Sequence, residues 1–140
     1  MEIKAFFDDR TFTLTYVVYD EETKDAVVID PVLDYDPKAS KTWTESADAV
    51  IDFLKSRDLK LHKVLETHAH ADHLSGSQVL KEEYPDAEVV IGEHITDVQA
   101  LFKDIFDLPE DFPTDGRQFD QLVAEGDTVE AGSLEFEVLY

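Results

Sequence analysis

The sequence predicts an α/β fold with a mixed sheet and flanking helices, and three observations carry that reading. Residues 12–19 and 26–30 are β-branched and aromatic runs separated by a polar turn. Short apolar runs at 63–67 and 87–91 alternate with segments of helical period. The composition, 43% hydrophobic and 11% aromatic over 140 residues, is that of one globular unit with a packed core.

The elements follow in order. Asp20 to Asp25 reads as a hairpin turn, so two antiparallel strands open the domain. Pro31 and Pro37 bracket a polar segment that cannot continue the sheet. Thr42 with Glu45 offers a capping box ahead of an amphipathic helix over 44–57, carried by Ala47, Val50, Ile51 and Leu54. Lys63 to Thr67 is a buried strand whose C-terminal end delivers a histidine cluster, where ligands commonly collect. Leu74, Val79, Leu80 and Tyr84 mark a second helix, Ala87 to Ile91 a strand, and Val98, Leu101, Phe102 and Ile105 a third helix. Pro109, Pro113 and Gly116 make 108–116 an irregular loop, and strands follow at 121–123, 127–130 and 134–139. An alternating strand that ends at Tyr140 wants a partner or a continuation, so the chain is expected to be the N-terminal part of a longer domain.

Composition excludes several classes of function. A formal net charge of −21 repels nucleic acid and anionic membrane surfaces. The absence of cysteine removes disulfides and thiolate ligands, so any metal must be held by nitrogen and oxygen. With neither a leader pattern nor an apolar run of spanning length, a cytoplasmic location is expected.

The chemistry lies in Thr67-His68-Ala69-His70-Ala71-Asp72-His73, which holds three of the five histidines. In an extended segment His68 and His70 project the same way and can reach one ion. A turn into a helix near His73 would aim Asp72 and His73 toward that pair, giving one shared or two adjacent metals. His68, His70, Asp72 and His73 are the candidate metal ligands, and Asp72 is also the candidate catalytic residue.

This motif resembles that of the metallo-β-lactamase superfamily, and the resemblance runs from the hairpin ending in Val28-Ile29-Asp30-Pro31 through the loop. It implies the N-terminal half of an αββα sandwich. Glu66 to Gly76, with the stretch from Asp34 to Trp43, is similar to the persulfide dioxygenases and to related β-lactamase-like hydrolases often joined to rhodanese domains. Glyoxalase II enzymes usually carry a further histidine where this chain has Ala69.

What the resemblance implies is an enzyme that oxidises glutathione persulfide, or a related small thiol compound, with dioxygen at one Fe(II). His68 would be the first iron ligand, the others lying beyond Tyr140, and His70, Asp72 and His73 would be supporting groups. Weak metal binding and little activity are then expected of the 140 residues alone. The alternative is a glyoxalase II-like thioester hydrolase with His68 and His70 on one zinc and Asp72 and His73 on another. A third reading, from another class, is a non-catalytic domain or one completed by a partner chain, a second copy included.

Other residues carry less. Asp30 reads equally as a carboxylate that orients a ligand histidine or as the cap of a turn. His94 reads as solvated beside a helix start, and His62 as a surface residue. Glu82-Glu83 and Asp104 to Asp111 lack the pattern of a calcium loop and read as solvated faces.

Overall fold

The computed structural model describes residues 1–140. In chain order its first elements are β1 (Glu2–Asp8), β2 (Thr13–Tyr19), β3 (Asp25–Ile29), β4 (Val32–Asp36), β5 (Lys41–Trp43) and α1 (Glu45–Ser56). There follow β6 (Lys60–Glu66), β7 (Leu74–Ser75), α2 (Ser77–Glu83), β8 (Glu88–Gly92) and α3 (Ile95–Ile105). The chain closes with β9 (Gln121–Val123), β10 (Thr128–Ala131) and β11 (Leu134–Glu137). No helix is long and apolar enough to cross a membrane.

Six strands form the main sheet in the order β1-β2-β3-β6-β8-β9. Its first half is an antiparallel meander, and from β3 to β9 all pairs are parallel, which makes the sheet mixed as the sequence predicts. Strict alternation of side chains divides the core in two. Val17, Val28, Val64 and Val89 face α1 and α2, where Val50, Leu54 and Leu80 meet them. Their neighbours Val18 and Val27 face the β10–β11 hairpin through Ala131 and Leu134, and Val90 meets Val129. The central strands are therefore apolar on both faces, which is why they read as continuous hydrophobic runs. The layers are helices, sheet and hairpin.

Four local expectations are corrected. The N-terminus forms a strand, β1, where no strand was expected; it is a sheet edge whose Ile3 and Phe7 stay exposed, so no burial pattern marks it. The segment after Pro31 leaves the main sheet as expected, but it pairs in a second sheet of order β5-β4-β7. The box expected from Thr42 and Glu45 does not form, because Thr42 lies in β5. Asp34 takes over the capping, with Oδ2 accepting from the Ser46 backbone N–H at 2.8 Å and Oδ1 from its hydroxyl at 2.8 Å. His62, expected at the surface, is half-buried, with Nε2 2.7 Å from Asp25 Oδ1.

The final strand finds its partner within the chain. Thr128 pairs with Glu137 and Ala131 with Leu134 across a turn at Gly132, whose φ is +64°. The turn docks on the start of β3, where Asp25 Oδ2 accepts from the Ser133 N–H at 2.8 Å.

Candidate metal centre

The loop is held at both ends by backbone contacts. At its entry β6 runs parallel to β3 up to the pair Ile29 and Leu65, after which Asp30 takes a left-handed φ of +50°. Aspartate tolerates that conformation better than most residues, and here it turns the chain out of the sheet. The Thr15 hydroxyl donates to the Asp30 carbonyl at 2.7 Å and fixes the turn. At its exit the loop does not enter a helix near His73, as the sequence suggested; it enters β7, which pairs with β4 through Val32–Ser75 and Leu33–Leu74. Gly76 then donates its N–H to the Pro31 carbonyl at 2.7 Å, and α2 starts only at Ser77.

Asp30 organises the loop from below. Its Oδ1 accepts from the Thr67 backbone N–H at 2.8 Å, and Oδ2 accepts from the Thr67 hydroxyl at 2.7 Å. Because that hydroxyl has given its hydrogen to Asp30, it can only accept from His68 Nδ1, 2.8 Å away. His68 is thereby set with Nδ1 protonated and the Nε2 lone pair free. Asp30 Oδ1 also lies 3.0 Å from His70 Nε2, which sets the opposite tautomer there and leaves Nδ1 free. One carboxylate dictates the donor atoms of two histidines. Of the two readings open for Asp30, the geometry displays the orienting contact, together with the turn.

The loop brings three of the four predicted ligands together. Donor atoms of His70, Asp72 and His73 all lie within 4.8 Å of one another, with Asp72 Oδ1 3.8 Å from His70 Nδ1 and 3.3 Å from His73 Nδ1. His68 stacks against His70 at 4.3 Å between ring centroids but joins no such group. Asp30, Glu66 and His70 form a second cluster beneath the loop.

The electrostatics suit a cation. Both ring nitrogens of His73 are buried without a hydrogen-bond partner, on a side chain only 1% exposed. Such orphaned atoms are costly in a protein interior, and a metal would take up a lone pair. Burial, and then the charge of His70, lowers the His73 pKa, which favours the neutral imidazole that a metal needs. The backbone N–H of Asp72 itself, followed by His73 and His70, holds the Asp72 carboxyl below its ordinary value. Burial first, with the Asp30 carboxylate adding to it, pushes the Glu66 carboxyl well above the usual range.

Beside the loop opens a cleft of about 460 Å³, mostly apolar, bordered by His68, Gly92, His94, Phe136, Val138 and Tyr140. His68 lines it, whereas His70, Asp72 and His73 do not. His94, set aside on sequence grounds, stands on this cleft and stacks on Tyr140 at 4.6 Å. Glu66 was also missed as a site residue; a carboxylate ending an apolar strand beside a histidine motif was the available signal.

Comparisons with known proteins identify the family. The sequence signature of the metallo-β-lactamase superfamily matches residues 8–139. A β-lactamase hydrolase-like protein of Agrobacterium fabrum is 45% identical over 138 residues, 99% of this chain and 32% of that protein. The mitochondrial persulfide dioxygenase ETHE1 of Mus musculus is 29% identical over 135 residues, 96% of this chain and 41% of that protein. The crystal structure of ETHE1 from Myxococcus xanthus superposes with a TM-score of 0.68 at 31% identity, over 98% of this chain and 47% of that one. The chain thus spans less than half the length of each of these relatives.

Proposed function

This chain belongs to the metallo-β-lactamase superfamily, and from that premise we propose that its loop serves a metal-dependent oxidation, in which dioxygen oxidises the outer sulfur of glutathione persulfide. The observation that carries this reading is the division within the loop: His68 alone faces the cleft, and the other three donors sit outside its lining. The resemblance to the persulfide dioxygenases implies one iron-binding histidine from this segment, with its neighbours in support. His68 would hold Fe(II) through Nε2, which the Asp30–Thr67 chain leaves free. Iron held there would supply the redox chemistry that joins a persulfide sulfur to dioxygen.

The protein's own share of the work is orientation and exclusion of water. Thr67 fixes the His68 ring, and the apolar wall of Val98, Phe136 and Val138 shields the sulfur from solvent. Similarity to a persulfide dioxygenase over 96% of this chain supports the reading.

A specific observation favours a second reading. The His70, Asp72 and His73 donors converge closely enough to hold one ion of their own, a grouping that differs from the expected pairs His68–His70 and Asp72–His73 but suits a zinc hydrolase. The name of the Agrobacterium relative is in keeping with a hydrolase.

Oxygen uptake with glutathione persulfide by the iron-loaded whole protein, run beside hydrolysis of a lactoyl-glutathione thioester by the zinc-loaded whole protein, separates the two. Uptake that disappears in His68→Ala is the expected result. An iron-loaded whole protein that consumes no oxygen would sink the dioxygenase reading, and thioester turnover with two metals per chain would establish the second.

A further inference from the structure

Glu66 has no part in the reading above, yet it is one of the few buried charged residues, 6% exposed at the end of β6. Its Oε1 accepts from the Ser75 hydroxyl, whose oxygen is 2.9 Å from Ser77 Oγ. Its Oε2 is buried without a hydrogen-bond partner and stands 3.4 Å from His70 Nε2. The same nitrogen is 3.0 Å from Asp30 Oδ1, so two carboxyl groups converge on one N–H, one from the end of β6 and one from the turn after β3. Burying a carboxyl group seldom adds stability, and an apolar residue of similar volume often does better. Its place at the root of the loop points to a role in aiming the loop.

We propose that Glu66 is a positioning residue for the metal centre: with Asp30 it forms a two-carboxyl cradle around His70 Nε2–H, which holds the ring with Nδ1 turned toward Asp72 and His73. The inference rests on the His70, Asp72 and His73 cluster as a metal site, the second reading above. Ser75 and Ser77 complete the device by fixing the Glu66 carboxyl. Since Ser75 lies in β7, the device ties the exit of the loop to its entry.

The test is zinc affinity by chelator competition, for the chain and for its Glu66→Leu and Glu66→Gln variants. Glu66→Leu should bind zinc roughly 10- to 100-fold more weakly, while the thermal midpoint of the metal-free protein is unchanged or raised. Glu66→Gln should stay within about threefold of the parent, because its amide oxygen can stand beside Nε2–H as Oε2 does, its NH2 donates to Ser75, and Ser75 turns to Ser77. Parent-like zinc affinity in Glu66→Leu would overturn the proposal. A second measurement needs neither zinc nor a variant: long-range proton–nitrogen correlations should show His70 protonated at Nε2, and the Nδ1-protonated form would overturn the cradle. Loss of oxygen uptake with zinc binding and tautomer as described would count against the dioxygenase reading alone.

Discussion

A Cβ placed on Gly76 would lie 2.8 Å from the carbonyl oxygen of Val32, so the two backbones meet where only glycine fits. Gly76→Ala must push β7 away from β4, and the exit of the histidine loop moves with it. The expected cost is about 1–3 kcal/mol, the range for forced overpacking. Urea unfolding measures it, and a midpoint equal to that of the parent would contradict the close approach.

Asp34 is the cap that α1 lacks in its own sequence. Its side chain is 1% exposed and also pairs with Arg10 at 3.2 Å. Asp34→Ala leaves the Ser46 N–H without its acceptor, which should cost about 1–2 kcal/mol by the measure of lost N-caps. Thermal unfolding would register this, and the helical circular dichroism of the folded state should stay close to that of the parent.

Thr67 passes the influence of Asp30 to His68 through one hydroxyl. Thr67→Val keeps the shape and the backbone N–H but frees the His68 ring to change tautomer and orientation. Metal affinity should fall by roughly 10- to 100-fold, as for other residues that hold a ligand histidine. Chelator competition reads the change; an unaltered affinity would remove Thr67 from the site.

The Asp25–His62 pair makes stability depend on pH. The hydrogen bond to His62 first, and then the Ser133 N–H, holds the Asp25 carboxyl well below its ordinary value in the folded protein. An unfolded aspartate titrates near pH ~3.9, so the unfolded state binds the proton more readily. The stabilisation is therefore complete above that pH and is lost as the pH falls through the lower folded value. Urea midpoints should drop between about pH 5 and pH 2 with a slope that Asp25→Asn reduces.

Metal loading should stabilise the fold. Zinc bound only by the native loop adds about 2.7 kcal/mol at a hundredfold excess over Kd. The thermal midpoint should rise with zinc and return on chelation, and His73→Ala should lessen the rise, because it removes the buried nitrogens that lack partners.

Much of this was legible in the sequence, and what was not has physical causes. The central strands could be read because Val27, Val28, Val64 and Val90 are buried on both faces of the sheet. The motif marked the loop because three histidines and an aspartate crowd one strand end. Hidden were the features made by contacts distant in sequence. Asp34 reaches a cap 12 residues on, and Asp30 meets Thr67 and His70 across 37 and 40 residues. Neither β7 nor the close approach at Gly76 has a local signal, since two residues cannot show a period. The separation of His68 from the other donors depends on side-chain torsions that spacing does not fix.

The β10–β11 hairpin also has a consequence during synthesis. It is the cover for Val18, Val27 and Val90, and its turn docks on Asp25 across 108 residues. On the ribosome, β2, β3, β6 and β8 emerge before their cover exists, and an assembled sheet would present a naked apolar face to solvent. A nascent chain stalled ahead of Thr128 is thus a natural client for a holding chaperone, and the translation of β10 and β11 is the step that closes that window.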